Sequence, residues 1–397
     1  MLTGLDRLLS LPRALAGRSY ALLANAVTTG GMRCAPIQVA MLEAGFEPPA
    51  FLLGPEHGFF SVEQDMIGSA DGTCPWTGLE IRSLYGEAES SLRPEPGLFT
   101  GVDVLIIDLQ DVGARYYTYG ATAVWAADAA RRAGLEIWIL DRPNPLGGTV
   151  VEGPLRRDGF ESFVGAFAVP VRHGLTLGEL VLLEARRRGW EAGDQLRIWT
   201  VEEWSRGQLW SELGRPWIAP SPNLPTFEAA VVYPGACLIE ATELSEGRGT
   251  TRPFQLIGAP HLEPRVLAER LARAGLRGVT FVPTYFRPQF QKHAGAVCGG
   301  VQLLVTEPAL VDSLRLGVEL LRAVHDLDPE AFAWRSAPYE FVSDRPAIDL
   351  LTGDDRLRRA LAAGEVDDWI ASWGDDERAF LEERRSTLLY AEVVADR

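Results

Sequence analysis

A glutamate in a stiff, aromatic turn has the setting in this sequence that best suits proton transfer. Glu56 lies in the segment GPEHGFF, where proline and glycines fix a turn and two phenylalanines follow. A carboxyl group held against aromatic rings has its charged form desolvated, which favours the protonated form that a general acid needs. We therefore interpret Glu56 as a general acid; the alternative is a loop glutamate paired with an arginine. The next residue, His57, is either a ligand contact or a buried histidine bonded to the backbone.

A second group of polar and aromatic residues occurs in the segment DLQDVGARYYTY. It places Asp108, Asp111, Arg115 and Tyr117 close together in the sequence. Carboxylates form hydrogen bonds with hydroxyl groups, and aromatic faces stack on sugar rings, so the cluster indicates a carbohydrate subsite. For any one of these residues a structural role, such as an ion pair between Asp111 and Arg115, is the simpler explanation. For the cluster as a whole we favour the binding site.

Further polar groups follow predicted strands or lie in loops shaped by glycine. Asn25 follows the first strand, and Arg172 and His173 follow a short later strand. In the segment SEGRGTT, glycines let the backbone approach a ligand closely, and Arg248 can bind a carboxylate through two hydrogen bonds. The alternative for that segment is a turn at a domain junction.

The elements that must position these residues are short apolar runs that alternate with helical stretches. We predict strands at residues 20–24, 50–54, 81–85, 102–109, 135–140, 169–171 and 196–201, and helices at 36–44, 121–133 and 177–188. The last of these helices begins at a capping box of Thr176 and Glu179, which leaves Glu179 out of the candidate site. Strand–helix alternation indicates a parallel sheet, in which ligands bind beyond the carboxyl ends of the strands. Polar groups that follow five of the strands should therefore converge on one edge.

The second half of the chain has a different pattern. Residues 216–260 are rich in proline, glycine, serine and threonine, and we interpret them as an ordered loop between domains. Helices at 263–274 and 310–324, strands at 278–282 and 297–305 and a charged helical region at 354–389 follow. We therefore predict an α/β fold: a Rossmann-like parallel sheet with helices on both faces (residues 1–232) and a smaller C-terminal α/β or α+β domain (residues 233–397), with a cleft between them.

Composition excludes several classes of partner. The chain has 38 Lys+Arg against 54 Asp+Glu, a formal charge of −16, which repels nucleic acids and anionic membrane surfaces. No apolar run is long enough to span a bilayer. Nucleotide-binding glycine motifs and the G-x-S-x-G motif are absent. Four cysteines lie far apart, and the first residues have no secretory signal, so we expect reduced thiols, no structural zinc and a cytoplasmic location unless a signal was trimmed.

In chain order, PEHGFF, TGLEIRSLYG, DLQDVGARYYTY, LDRPNPLGG, VEGP, PVRHGLTLGEL, PSPNLPT and SEGRGTTRPF resemble the motifs of the NamZ-type exo-β-N-acetylmuramidases. This family was long known as a domain of unknown function. The resemblance extends from the first strand to the C-terminal STLLY. It implies a Rossmann-like domain, a smaller second domain and an active-site cleft between them. The sequence departs from the commoner residues of the family at Leu224, Glu243 and Gln255. Because position 255 is a glutamine, it cannot supply an essential carboxylate.

The resemblance also implies hydrolysis of the β-glycosidic bond of a terminal N-acetylmuramic acid in peptidoglycan fragments, with the PEHG glutamate, Glu56, as the catalytic glutamate. We expect it to act as the general acid. We expect Asp111 or Glu246 to be the second catalytic group, unless the N-acetyl group of the substrate replaces it. The sugar carries a lactyl carboxylate, which a planar guanidinium suits. No cofactor is expected, and the oligomeric state is open. The candidate binding residues are Asn25, His57, Asp108, Arg115, Tyr117, Arg172, His173, Asn223, Arg248 and Thr250.

Two other classes of protein remain open at this point. A metal-dependent hydrolase would use Glu56, His57, Asp108, Asp111 and His173 as ligands, although the usual ligand spacings are missing. A sugar-binding protein without catalytic activity would also have two α/β domains and a cleft.

Overall fold

A seven-stranded sheet organises the first half of the chain, and a three-stranded sheet lies in the second. The computed structural model describes residues 1–25, 28–31, 34–190 and 196–391. The strands are β1 (Tyr20–Ala24), β2 (Thr29–Gly30), β3 (Ala35–Pro36), β4 (Leu52–Gly54), β5 (Gly72–Thr73), β6 (Glu80–Ser83), β7 (Val104–Asp108), β8 (Glu136–Leu140), β9 (Leu196–Trp199), β10 (Leu256–Ala259), β11 (Val279–Phe286) and β12 (Cys298–Val305). The helices are α1 (Gly4–Leu9), α2 (Ile37–Glu43), α3 (Tyr119–Arg132), α4 (Leu177–Arg187), α5 (Phe227–Ala236), α6 (Pro264–Ala272), α7 (Ser313–Leu327), α8 (Ala347–Thr352), α9 (Arg356–Ala363), α10 (Val366–Ala371) and α11 (Trp373–Arg384).

The large sheet has the strand order β5-β6-β4-β1-β7-β8-β9. All neighbours from β6 to β9 pair in parallel, and only the short edge strand β5 is antiparallel. Numbered along the chain, the parallel strands lie in the order 3-2-1-4-5-6, which is that of a Rossmann fold. The predicted fold class is therefore confirmed, and the carboxyl ends of six strands meet at one edge.

Alternating side chains of the buried strands form two separate cores. In β1, Leu22 joins the core with Leu5 of α1 and Met41 of α2. Leu23, one residue on, joins the larger core with residues of α3 and α4. Because successive strand residues point to opposite faces, fully apolar strands indicate a sheet covered by helices on both sides. The larger core continues into the C-terminal half.

Two predicted features were wrong. Residues 169–171 do not form a strand; only isolated bridges occur next to them, from Arg172 to Ala114 and to Glu152. Residues 216–260 are not only loop, because they contain α5 and β10. Apart from Glu228 in its first turn, helix α5 is buried and has no polar face, so it lacks the amphipathic period that would have revealed it. Its N-terminus is capped by Thr226, whose side chain accepts a hydrogen bond from Ala229.

In the C-terminal half, a close helix crossing positions one side of the candidate site. A Cβ atom at Gly235 of α5 would lie 1.8 Å from the carbonyl oxygen of Ser313, and one at Gly317 of α7 would lie 2.1 Å from that of Gly235. Only glycine allows the two backbones to approach this closely. The crossing fixes the end of α5, from which the chain runs directly into a 3-10 helix over Cys237–Ala241.

The three-stranded sheet is antiparallel, in the order β10-β12-β11. The end of the chain then returns to the Rossmann-like sheet, where the hydroxyl of Tyr390 donates to Asp141 Oδ2 and accepts from the backbone N–H of Val201. The predicted division at residue 232 falls inside α5 and stays a prediction. Within the described residues, no helix is both long and apolar enough to cross a membrane.

Candidate active site

A small cavity of about 40 Å³ lies between the carboxyl edge of the large sheet and the C-terminal half. The first half of the chain contributes Glu56, His57, Asp65, Tyr116, Tyr117, Thr118, Val164, Ser221, Asn223 and Leu224 to its lining. The second half contributes Tyr233, Glu240, Arg248, Phe254, Tyr339 and Glu340. We call this cavity the central pocket. Of the predicted site residues, Glu56, His57, Tyr117, Asn223 and Arg248 line it.

A sharp turn after β4 carries Glu56 into the central pocket. A Cβ atom at Gly54 would lie 2.7 Å from the backbone nitrogen of Phe59, so the turn needs glycine there. Glu56 is 6% exposed, and Thr118 donates a hydrogen bond of 2.5 Å to its Oε2. Among the described residues no other group donates to this carboxyl, so Oε1 is available to a ligand.

His57 adopts a left-handed backbone conformation, with φ of 68°. Its Nδ1 lies 3.0 Å from the carbonyl oxygen of Glu63 and donates to it, because a carbonyl only accepts. In the neutral ring, Nε2 is then left as an acceptor for a ligand hydroxyl. Both readings of His57 made from the sequence are therefore compatible with its position, since it is buried, bonded to the backbone and in the lining.

The aromatic wall expected from Phe59 and Phe60 does not line the central pocket. The left-handed turn at His57 and Gly58 sends Phe59 into the core on the other face of the sheet, and Phe60 packs edge-on against Trp76. Aromatic rings from other segments take this place. They include Tyr117, Tyr233 and Phe254. The ring centre of Tyr233 lies 5.9 Å from that of Tyr117 and 4.9 Å from that of Phe254.

Arg248 is the only arginine or lysine in the pocket lining, among the residues that the structure describes. Its guanidinium lies 2.6 Å from Glu240, 3.2 Å from Asp65 and 3.4 Å from Glu246. The pair with Asp65 joins the C-terminal half to the loop that carries Glu56. One cation therefore faces three carboxylates, and an acidic ligand must compete with them for it.

Glu246 lies behind Arg248 and outside the pocket lining. The ammonium of Lys292, the only lysine of the chain, donates to Glu246 Oε2 at 2.9 Å and to three backbone carbonyl oxygens. The ammonium has three N–H groups, so the four acceptors around it share these donors. Thr250 also lies outside the lining, where its hydroxyl donates to the carbonyl of Gly247. The catalytic role of Glu246 and the binding role of Thr250 stay predictions without a contact to the pocket.

Asp111 is buried and does not line the central pocket. Its Oδ1 accepts a hydrogen bond of 2.6 Å from the backbone of Gly113, and its Oδ2 has no partner among the described residues. Burial raises the pKa of Asp111 to about 7. His173 Nε2 lies 3.9 Å from Asp111, and burial lowers the pKa of this imidazole to about 3, so the ring is neutral. The ion pair between Asp111 and Arg115, which was the structural alternative for these residues, does not form.

The arginines that follow the strands have structural partners. Arg115 donates to the carbonyl oxygens of Pro154, Val169 and Leu351 at 2.7 to 2.8 Å. Arg172 pairs with Glu152 at 2.5 Å. Neither lines the central pocket, whereas Arg248 does.

Two other predicted binding residues hold the sheet edge together. Asp108 is fully buried and pairs with Arg142. The amide of Asn25 donates to the hydroxyl of Tyr119 at 2.9 Å and to the carbonyl of Pro220 at 3.2 Å. Asn223 does line the pocket and donates to Gln64 at 2.8 Å. Roles of Asp108 and Asn25 in binding stay predictions.

The residues of the metal-site alternative are not assembled at one point. Glu56 and His57 line the pocket, whereas Asp108 is bound to Arg142 and His173 accepts from the backbone of Leu175. In the described ranges, no group of three His, Cys, Asp or Glu side chains is placed to hold a metal ion.

Sequence reasoning missed a glutamate that enters the pocket from the C-terminal half. Tyr339 and Val342 exchange two backbone hydrogen bonds of 2.9 Å, and the two residues between them have positive φ, 45° at Glu340 and 67° at Phe341. This is a type I′ turn, which normally uses asparagine and glycine. Left-handed conformations cost about 1–3 kcal/mol at such residues. No turn signal marks the sequence PYEFV, so the turn was not predictable.

Comparison with known proteins gives consistent matches over both halves. Two family models, described as the N-terminal and C-terminal parts of exo-β-N-acetylmuramidase NamZ, match residues 21–228 and 231–390. The peptidoglycan β-N-acetylmuramidase NamZ of Bacillus subtilis (strain 168) is 37% identical over 392 residues, covering 98% of this chain and 91% of the relative.

Two crystal structures of DUF1343 family proteins from Bacteroides fragilis have the same fold. Their TM-scores to this chain are 0.84 and 0.73, at 29% and 28% sequence identity. Each comparison covers 98% of this chain and 99% of the other. The architecture described above is therefore shared over nearly its whole length.

Proposed function

The chain belongs to the exo-β-N-acetylmuramidase family NamZ, and from this membership we propose that it is a glycoside hydrolase acting on peptidoglycan fragments. Its substrate is a saccharide with N-acetylmuramic acid at the non-reducing end, and its product is the released sugar. The observation that carries the proposal is the position of Glu56, a buried carboxyl group with one oxygen available, in a pocket between the two halves.

The acidic sugar is recognised through its lactyl carboxylate. Arg248 is the cation that the pocket offers, and it lies 5.1 Å from the ring centre of Phe254, which fixes the plane of the guanidinium. Asp65 occupies one side of Arg248 at 3.2 Å. We expect the lactyl carboxylate to replace Asp65 there, because both are carboxylates and the lining supplies no second site for an anion.

Cleavage from the chain end requires a pocket that is closed at one end. We expect residues 221–251 to close it, because this segment contributes residues from Ser221 to Arg248 to the lining. Tyr117 and Asn223 offer an aromatic face and an amide to the sugar, as expected of a carbohydrate subsite.

The test is Glu56→Gln, assayed with a chromogenic N-acetylmuramic acid glycoside and with the disaccharide N-acetylmuramyl-N-acetylglucosamine. General acid–base groups contribute about 10²–10⁴-fold, so we expect a loss of that size in kcat. Exposed Glu95→Gln is the matched control and should keep full activity. Near-normal turnover by a folded Glu56→Gln variant would remove Glu56 from the mechanism. Absence of any product with the unaltered protein would instead favour a sugar-binding protein.

We also propose that the protein acts in the cytoplasm. Cys34, Cys74, Cys237 and Cys298 are free thiols, and Cys34 is exposed, which suits a reducing compartment. Cell fractionation with an antibody to the protein tests this, and recovery outside the cytoplasmic membrane would contradict it.

A further inference from the structure

Glu340 lies at the junction of two cavities. One is the central pocket, and the other is an open groove of about 330 Å³, lined by Met66, Tyr85, Glu87 and Phe341 among others. Among the described residues, Glu340 is the only one that lines both. If the terminal sugar occupies the pocket, the rest of the saccharide leaves through the groove, and the bridging oxygen lies where the two meet.

The conformation of Glu340 is fixed from both halves of the chain. Tyr85, which follows β6, donates a hydrogen bond of 3.1 Å to Glu340 Oε2 and packs its ring edge-on against Phe341 at 5.7 Å. Tyr339 is anchored to Glu240 by a hydrogen bond of 2.6 Å. These contacts hold a turn whose backbone is unfavourable for its residues, which indicates that the position of the carboxyl matters.

The charges around Glu340 favour its protonated form. Burial raises its pKa well above the usual value, and the neighbouring carboxylates of Glu56, Glu240 and Asp65 raise it further, while the hydrogen bond from Tyr85 acts in the opposite direction. Arg248, the cation of this region, is paired with Glu240 and Asp65 and does not pair with Glu340. A carboxyl group that stays protonated at neutral pH can donate a proton.

We propose that Glu340 is the general acid of the reaction and that Glu56 is its carboxylate partner. The inference rests on the proposed function and replaces the sequence-based role of Glu56 as proton donor. Most glycoside hydrolases use two catalytic carboxyl groups, whose different environments separate their pKa values.

The reaction balances with water as the only co-reactant. Glu340 gives its proton to the bridging oxygen while the bond from that oxygen to the anomeric carbon breaks, and the bonding electron pair stays on the oxygen. The leaving saccharide departs with a new hydroxyl group. A water molecule then bonds through its oxygen to the anomeric carbon and loses one proton to a carboxylate of the pair. The products are two free saccharides, and the proton balance is restored by exchange with solvent.

The test compares leaving groups in Glu340→Gln and Glu56→Gln. A sugar leaving group needs a proton, whereas a nitrophenolate leaves without one. We therefore expect Glu340→Gln to lose about 100-fold or more in kcat/KM on the disaccharide and less than about 10-fold on the nitrophenyl glycoside. Glu56→Gln should lose activity on both substrates. The basic limb of the pH profile should also disappear in Glu340→Gln on the nitrophenyl substrate.

Tyr85→Phe provides a second variant, because it removes only the hydroxyl that holds Glu340. It should show the same selective loss on the disaccharide, in smaller degree. Exposed Glu330→Gln is the control and should leave both activities unchanged. Equal losses on both substrates, or none, in Glu340→Gln and Tyr85→Phe would overturn the role of Glu340. If the unaltered protein cleaves neither substrate, the proposed function itself fails, which is a different result.

Discussion

Two buried arginines, Arg206 in the core and Arg248 in the central pocket, have very different surroundings. Arg206 is fully buried, and its guanidinium contacts both oxygens of Glu179 at 2.6 and 2.7 Å. The carboxylate of Glu179 also accepts hydrogen bonds from the backbone of Thr176, as the capping box predicted, and of Leu389. One buried cation and one buried anion are thus matched, and both carboxylate oxygens accept hydrogen bonds.

In the pocket, charge is not matched in this way. Of the groups in the lining, Arg248 faces Asp65 and Glu240, and Glu56 and Glu340 add two further carboxyl groups. Glu246 lies outside the lining and pairs with both Arg248 and Lys292. Like charges in a confined space disfavour the folded state unless some of them are protonated. The buried ion pair in the core therefore stabilises the fold. The pocket contains more carboxyl groups than cations, which lowers the stability of the fold and is typical of functional sites.

The largest effect is expected from breaking the core pair. Arg206→Met leaves Glu179 buried without a cation, which typically costs about 3–5 kcal/mol of unfolding free energy. Denaturation in urea measures the loss. The matched control is Arg270→Met, which breaks an exposed pair with Asp326 and should cost less than about 1 kcal/mol. A similar small loss for both variants would show that the pair of Arg206 and Glu179 does not stabilise the core.

The pocket wall that comes from the first half could be predicted from the sequence. Parallel strands have their carboxyl ends at one edge, so residues after β4 and β7 had to meet, and Glu56 and Tyr117 do so. The same rule also selected Asp108 and Arg172 as site residues, but both form structural ion pairs, with Arg142 and Glu152 respectively. Residue type and strand position do not distinguish a side chain that faces the pocket from one that bonds a neighbouring loop.

The wall from the second half could be predicted only in part. Arg248 was found because glycines flank it. Glu240 follows α5, a helix without an amphipathic pattern, and Glu340 lies in a turn without asparagine or glycine. Both positions are set by contacts between distant segments, such as Tyr85 with Glu340, and such contacts leave no local signal in a single sequence.

A smaller effect is expected at Asp111, a buried carboxyl group with no cation. Its pKa is raised to about 7 in the folded protein against 3.8 in an unfolded chain, so the folded state holds the proton more tightly. Protonation of Asp111 therefore contributes its full amount to the free energy of unfolding below pH 4, and this contribution is lost as the pH rises to about 7. Asp111→Asn imitates the protonated group, so it should match the unaltered protein at pH 4 and exceed it by about 1–3 kcal/mol at pH 8.

Urea denaturation of both proteins from pH 4 to 8 measures this difference. Exposed Asp158→Asn is the control and should leave the pH dependence unchanged. A lower stability of Asp111→Asn at pH 8 would mean that the ionised carboxylate is bonded in the fold, and that Asp111 belongs with the matched charges of the core.

The smallest effect is expected at Asp65 and concerns binding. Asp65 lies 3.2 Å from Arg248 and accepts a hydrogen bond of 2.5 Å from Gln291. Asp65→Asn keeps an acceptor for Gln291 but gives up the charge, so a lactyl carboxylate no longer displaces an anion from Arg248. We expect KM for the N-acetylmuramic acid glycoside to fall about threefold to tenfold, at most about 1.4 kcal/mol, with kcat unchanged.

A matched substrate separates this explanation from a general change in the pocket. The corresponding N-acetylglucosamine glycoside lacks the lactyl group, so its binding, measured as inhibition of the reaction, should not improve in Asp65→Asn. A rise in KM for the acidic substrate would show that Asp65 contacts the sugar directly. The carboxyl groups around Arg248 would then take part in substrate recognition. Asp65 would bind the substrate directly, and it would not occupy the position of the lactyl carboxylate beside Arg248.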